Sequence, residues 1–193
     1  YLIAGKKITP NHMYDRANLA AKHCKGNYIR NYAFYTRKMS QEIEKEQRIV
    51  NSMKSALENH EFVVFYQPKY ELCGNQIAGA EALVRWIHPE RGMISPGEFI
   101  PVFERNGFIT KLDYYVWEQT CIQLRKWLDE GKQPLPISVN LSRISLYNKE
   151  LVEMICDLVD SYRIPRRLFQ VELTESAYNT NPKAVQDMMQ RLR

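Results

Sequence analysis

Short strand-like runs alternate with longer helix-like stretches after residue 60, and this alternation restricts the fold more than any other feature of the chain. The runs are rich in apolar and β-branched residues and predict buried strands. The first two are joined through the short turn Cys73-Gly74-Asn75, so these should pair antiparallel. Helical stretches separate the later runs, which predicts parallel strands and an α/β fold. The four runs are 62–67, 77–86, 137–142 and 169–174.

Proline and glycine mark the ends of the predicted helices. Ser95-Pro96-Gly97-Glu98 has the pattern of a capping box with proline at the first helical position, and Gly107 is expected to end that helix. Gly131 is expected to end the next helix, which starts near Thr110. Further helices are predicted at about 11–25, 40–60 and 148–162, and from Pro182 onward. Two strands are predicted upstream, at 1–4 and 28–35.

Composition excludes several classes of protein. The four cysteines are far apart and form no CxxC pair, so we expect free thiols and neither disulfides nor a zinc site. No apolar run reaches the length of about 18 residues that a membrane span needs. The net charge of +5 arises in the first 60 residues. Its basic residues are spread along a predicted strand and helix, which favours a solvated face over nucleic-acid binding.

Three of the predicted strands each carry one oxygen-bearing side chain among apolar neighbours: Glu81, Asn140 and Glu172. A buried carboxylate is costly unless it is paired or bound to a metal ion. Two acids and an amide at such positions therefore suggest a site for a hard cation. Arg85 lies four residues after Glu81 and shares its strand face, since side chains alternate along a strand. It would add a cationic group beside the site.

These side chains lie within sequence motifs that resemble one family. EALVRW, VNLS and ELTES contain the three oxygen-bearing residues, in that order. YQPK precedes them at Tyr66–Lys69, and PGEFIPVFERNGFI lies between the first two at Pro96–Ile109. Together they resemble the EAL domain, whose members are cyclic di-GMP phosphodiesterases or inactive relatives that only bind the dinucleotide. The resemblance covers about Met53 to Arg193.

The resemblance implies a particular fold and domain order. The EAL part would be a TIM-like barrel with an antiparallel first strand. Such barrels need about 250 residues, so residues 61–193 are expected to form only the N-terminal half of one, with little activity alone, within a longer protein. DRANLAAKHCKGN at 15–27 resembles the last helix of a GGDEF domain. Residues 1–38 are thus expected to be the α+β end of a GGDEF-like domain, and 39–60 a connecting helix.

The resemblance also assigns roles to residues. Glu81, Asn140 and Glu172 would be ligands to Mg²⁺ or Mn²⁺, with Glu81 central to catalysis. Gln67 and Arg85 would bind the dinucleotide, and the planar guanidinium of Arg85 suits a phosphate. The alternative for Arg85 is a charge partner for Glu81. By the same resemblance Glu175 would anchor an active-site loop, whereas Trp86 and His88 are expected to be packing residues.

Three functions remain open at this point. The first is hydrolysis of cyclic di-GMP to linear pGpG in bacterial second-messenger signalling. The second is an inactive EAL domain that acts as a cyclic di-GMP receptor, and the third is an unrelated metal-dependent barrel enzyme. Because every ligand expected in this half of the domain is present, the enzyme is favoured. We expect a cytoplasmic homodimer with no nucleic-acid partner and no membrane contact by this segment, although upstream sensory or membrane segments could tether the protein.

Overall fold

The computed structural model describes residues 9–24, 32–72, 74, 76–173 and 182–191. The chain divides into two compact units, Tyr1–Ser52 and Met53–Arg193. Helix α1 (Pro10–Cys24) lies in the first unit, and helix α2 (Arg37–Glu58) contains the division. The strand predicted at 1–4 lies outside the described residues. The strand predicted at 28–35 is wrong over 32–35, which have no regular secondary structure.

A mixed sheet forms the centre of the second unit. Its strands are β1 (Phe62–Tyr70), β2 (Ile77–His88), β3 (Gly92–Ile94), β4 (Ile137–Leu141) and β5 (Phe169–Leu173). The order is β1-β2-β4-β5, with β3 paired to the far end of β2. Strand β1 runs antiparallel to β2, whereas β2, β4 and β5 are mutually parallel. The predicted antiparallel first pair and the parallel later strands are confirmed.

The helices of this unit are α3 (Pro96–Asn106), α4 (Ile109–Asp129), α5 (Leu151–Ser161) and α6 (Pro182–Arg191). Gly107 and Gly131 follow α3 and α4 with left-handed φ values of 78° and 73°, a conformation that favours glycine. The predicted side-chain cap of α3 is wrong in detail. Ser95 makes no side-chain cap hydrogen bond, and its carbonyl oxygen instead accepts from the Glu98 N–H at 2.9 Å.

Aromatic residues form the core beneath β1 and β2. Trp86 is fully buried, and its ring lies 5.1 Å from that of Phe62 and 5.7 Å from that of Phe99, between centroids. The Trp86 indole N–H donates to Glu61 Oε2 at 2.8 Å. This confirms Trp86 as a packing residue. Helix α4 packs on β4, where the Trp117 indole N–H donates to the Asn140 carbonyl oxygen at 3.2 Å and so holds the backbone of that residue.

Gly79 of β2 lies where the chain before β4 approaches most closely. A Cβ atom on Gly79 would lie 2.6 Å from the carbonyl oxygen of Pro136, which accepts from the Ala80 N–H at 3.0 Å. We therefore expect Gly79→Ala to lower the free energy of unfolding by about 1–3 kcal/mol, because backbone must move. Urea denaturation measures this. Gly97→Ala is the control, since its Cβ would meet only Ser95 Oγ at 3.7 Å; equal losses in both variants would contradict the expectation.

Candidate active site on the open sheet face

Polar side chains from four strands project from one face of the sheet. Gln67 lies directly opposite Glu81, and Glu81 opposite Ser138. Two residues further along β4, Asn140 lies opposite Glu172 of β5. Directly opposed residues share a face, and so do residues two apart in a strand. The predicted oxygen-bearing residues therefore lie on one face of three neighbouring strands. Neighbouring strands in a sheet lie about 4.8 Å apart.

Two of the three predicted ligands are in direct contact. Asn140 Nδ2 donates to Glu81 Oε1 at 2.8 Å. The Glu81 side chain is partly buried, whereas Asn140 is exposed on the sheet face. Asn140 and Glu172 stand at the last-but-one positions of their strands, but Glu81 lies well inside β2, which continues to His88 to pair with β1 and β3. The hydrogen bond orients the Glu81 carboxylate and leaves Oδ1 of Asn140 as a possible ligand oxygen.

The third predicted ligand, Glu172, is held by a residue that the sequence interpretation did not single out. Lys69 Nζ donates to Glu172 Oε1 at 2.6 Å and to Ser138 Oγ at 2.8 Å. Burial raises the pKa of Glu172, but the Lys69 and Ser138 hydrogen bonds and the Lys69 charge lower it more, so its pKa is below the ordinary value. Lys69 shares the strand face of Gln67, because the two residues are two positions apart in β1. This alternation of side chains was the sequence signal that could have identified Lys69 as a site residue.

Of the three remaining predicted site residues, the structure describes Arg85 and Gln67. Arg85 Nη1 donates to the Val84 carbonyl oxygen at 2.9 Å. Within the part of the chain that the structure describes, Arg85 forms no ion pair with Glu81. Gln67 is exposed beside Glu81. Glu175 lies outside the described residues, so its role as a loop anchor stays a prediction.

A cavity of about 270 Å³ lies between β2, the end of β4 and helices α3 and α4, and residues of both sheet faces line it. Arg85, Asn140 and Asp113 are among its polar lining residues. Asp113 is buried, and its Oδ2 accepts from the Ser142 N–H at 3.1 Å and from Ser145 Oγ at 2.8 Å. Burial raises the pKa of Asp113 despite these bonds. The apolar walls come from Ala82, Leu83, Val84, Pro96, Ile100, Ile109, Leu112, Val116 and Leu141.

The donor atoms on the face fit a hard divalent cation. Carboxylate and amide oxygens suit Mg²⁺ or Mn²⁺, whereas a zinc site would favour histidine or cysteine. Among the described residues, no three or more histidine, cysteine, aspartate or glutamate side chains are grouped so that they could hold a metal ion by themselves. If Glu81, Glu172 and Asn140 hold an ion, as the sequence predicts, further ligands such as water or substrate phosphate would be needed to complete its coordination.

Comparison with known proteins identifies the family. The profile of the EAL domain matches residues 50–193. This chain belongs to the EAL domain family. The bifunctional diguanylate cyclase/cyclic di-GMP phosphodiesterase MucR of Pseudomonas aeruginosa is 31% identical over 175 residues, 91% of this chain and 26% of MucR. The signaling protein YkoW of Bacillus subtilis is 34% identical over 167 residues, 84% of this chain and 20% of YkoW.

Solved EAL structures share the fold of the second unit. The MucR phosphodiesterase in complex with c-di-GMP superposes with a TM-score of 0.70 at 32% identity, covering 75% of this chain and 59% of that chain. The FimX EAL domain of Pseudomonas aeruginosa bound to c-di-GMP has a TM-score of 0.67 at 22% identity, covering 75% and 57%; this likeness concerns the fold. The chain thus spans only part of the length of its relatives.

Among the described helices, none is long and apolar enough to cross a membrane.

Proposed function

We propose that the EAL region hydrolyses cyclic di-GMP to linear pGpG in bacterial second-messenger signalling, using Mg²⁺ or Mn²⁺. The observation that carries this proposal is the placement of Glu81, Asn140 and Glu172 on one face of adjacent strands, beside a cavity lined by Arg85. A divalent ion, when bound, supplies an activated water and neutralises developing charge on the phosphate. The chain's own residues would hold and orient the reacting groups.

Glu81 and Glu172 would each contribute carboxylate oxygens to the site. Asn140 orients the Glu81 carboxylate through their 2.8 Å hydrogen bond, and the Trp117–Asn140 bond fixes the backbone from which that amide projects. Preorganised groups of this kind need little rearrangement when substrate arrives. The carboxylates lie on strands rather than on loops, which favours a precise geometry.

The cavity supports binding of the dinucleotide beside the cation site. Its apolar walls and volume of about 270 Å³ suit one planar base. Asp113 lines this cavity, and its carboxylate would accept from the N–H groups on the edge of a guanine. Arg85 would exchange its bond to the Val84 carbonyl for a bidentate contact with a phosphate. Gln67 lies opposite Glu81 and would contact the same ligand.

A receptor that binds cyclic di-GMP without cleaving it is the second candidate. Such a protein has no need for metal ligands, yet all three predicted oxygen donors are present and share one face. The MucR structure, which is described as a phosphodiesterase, is 32% identical to this chain. These two observations favour hydrolysis.

The domain order extends the proposal. We take residues 1–38 as the end of a GGDEF-like domain, 39–60 as a connecting helix and 61–193 as the N-terminal half of the EAL domain, the first part of a TIM-like barrel. The match to MucR covers 91% of the chain and so reaches beyond the EAL segment at 50–193. MucR is named as a diguanylate cyclase as well as a cyclic di-GMP phosphodiesterase. We further propose that the full protein is a homodimer in the cytoplasm.

Arg85→Ala in the natural protein should weaken binding of cyclic di-GMP by about tenfold to a hundredfold, because a charged hydrogen-bond donor to phosphate is lost. Turnover at saturating dinucleotide should change less. Titration calorimetry with a metal-free protein measures the affinity, and steady-state assays measure the turnover. Arg91→Ala, in an exposed turn, is the matched control. Unchanged affinity in Arg85→Ala would contradict the phosphate role.

A further inference from the structure

The Lys69 side chain extends across the strands of the sheet, from β1 at one edge to β4 and β5. It projects from β1, yet its Nζ contacts Ser138 on β4 and Glu172 on β5, with β2 lying between. Its register partner on β2 is Gly79, and the Lys69 Cε atom would lie 3.9 Å from a Cβ at that position. Because Gly79 has no side chain, the lysine stem can cross β2 against the sheet.

The two acceptors of Lys69 differ in character. Ser138 is fully buried between strands and also contacts the Ala80 carbonyl oxygen at 3.3 Å, so it offers a fixed anchor for the ammonium group. Glu172 is one of the proposed cation ligands, and its side chain is 39% exposed, as that of Lys69 is 37% exposed. Solvent therefore screens the ion pair partly, which keeps it breakable.

We propose that Lys69 is a resident counter-cation, which neutralises Glu172 when no metal ion is bound and competes with the divalent ion for that carboxylate. This inference rests on the metal site of the proposed function. An ammonium group within hydrogen-bonding distance of a ligand oxygen repels a divalent ion placed at the same oxygen set. Metal binding must therefore displace Lys69 or work against its charge, and the lysine lowers the affinity of the site.

The expected consequence is opposite to that of an ordinary supporting residue. If Lys69 only stabilised the sheet or positioned Glu172, removing it would weaken metal binding or leave it unchanged. If it competes, a neutral side chain of similar length should tighten metal binding. We expect Lys69→Met to bind Mn²⁺ roughly tenfold more tightly than the unmodified protein. Lys69→Arg keeps the charge and should stay within about threefold of it.

The test is a Mn²⁺ titration of the natural protein after EDTA treatment and buffer exchange, with free Mn²⁺ followed by electron paramagnetic resonance. Thermal unfolding without metal checks that each variant is folded, and Lys69→Gln serves as a second neutral variant where Lys69→Met does not fold. Tighter binding by a neutral variant together with near-normal binding by Lys69→Arg supports the inference. Equal or weaker binding by the folded neutral variants overturns it but leaves the metal site intact. Absence of Mn²⁺ binding in every protein overturns both the inference and the metal site.

Discussion

Glu81→Ala in the natural protein is expected to reduce metal-dependent hydrolysis of cyclic di-GMP by more than about a hundredfold, since even the loss of a group that supports a metal ligand costs ten- to a hundredfold. Glu81 accepts from Asn140 and lies on the polar sheet face, so its removal takes away a proposed ligand and the partner of a second one. Turnover in the presence of Mn²⁺ or Mg²⁺ is the measurement.

The fold should survive this substitution, because Glu81 is only partly buried and makes no contact with the aromatic core among the described interactions. Thermal unfolding monitored by circular dichroism checks this. Glu71→Ala, which removes an exposed carboxylate just after β1, is the matched control and should keep its activity. A Glu81→Ala protein that hydrolyses the dinucleotide at the unmodified rate would refute the catalytic assignment.

Trp86→Ala should lower the free energy of unfolding by about 3–5 kcal/mol. Trp86 is fully buried among Phe62, Phe99 and Phe103, and alanine would leave a large cavity there. The substitution also leaves Glu61 without its indole donor. Since small domains are stable by only about 5–15 kcal/mol in total, this single change should remove a large share of the stability.

Urea denaturation, with the slope compared between proteins, measures the Trp86 effect. Trp127→Ala is the control, because Trp127 is only partly buried and its ring contact is with Tyr66, at 5.8 Å between centroids. It should cost clearly less than Trp86→Ala. A loss below about 1 kcal/mol for Trp86→Ala, or equal losses at both positions, would show that the aromatic cluster does not dominate this part of the core.

Strand parity predicted which of the candidate side chains share one face of the sheet. It placed Asn140 opposite in face to Val139 and Leu141, and the structure buries those two fully while Asn140 is exposed. Parity depends only on the alternation of side chains along a strand, so it holds once the strand is correctly located. The antiparallel first pair was equally predictable, because so short a turn allows little else.

Features that leave no periodic pattern in the sequence were missed. Strand β3 is three residues long, too short to give a periodic pattern, and exists because it pairs with the far end of β2. The hydrogen bond between Lys69 and Glu172 joins residues 103 positions apart. The lysine side chain passes close to Gly79, where the absence of a side chain leaves room for it. The hydrogen bond of Arg85 to the neighbouring Val84 carbonyl is a choice of side-chain rotamer that no sequence pattern specifies.

We propose that this EAL domain cleaves cyclic di-GMP with a divalent ion held by Glu81, Asn140 and Glu172. The most direct test incubates the natural protein with cyclic di-GMP and Mn²⁺, with and without excess EDTA, and separates the products by chromatography. We predict linear pGpG in the presence of metal and none with EDTA. Binding of the dinucleotide without any cleavage in Mn²⁺ or Mg²⁺ would contradict the claim and support the receptor instead.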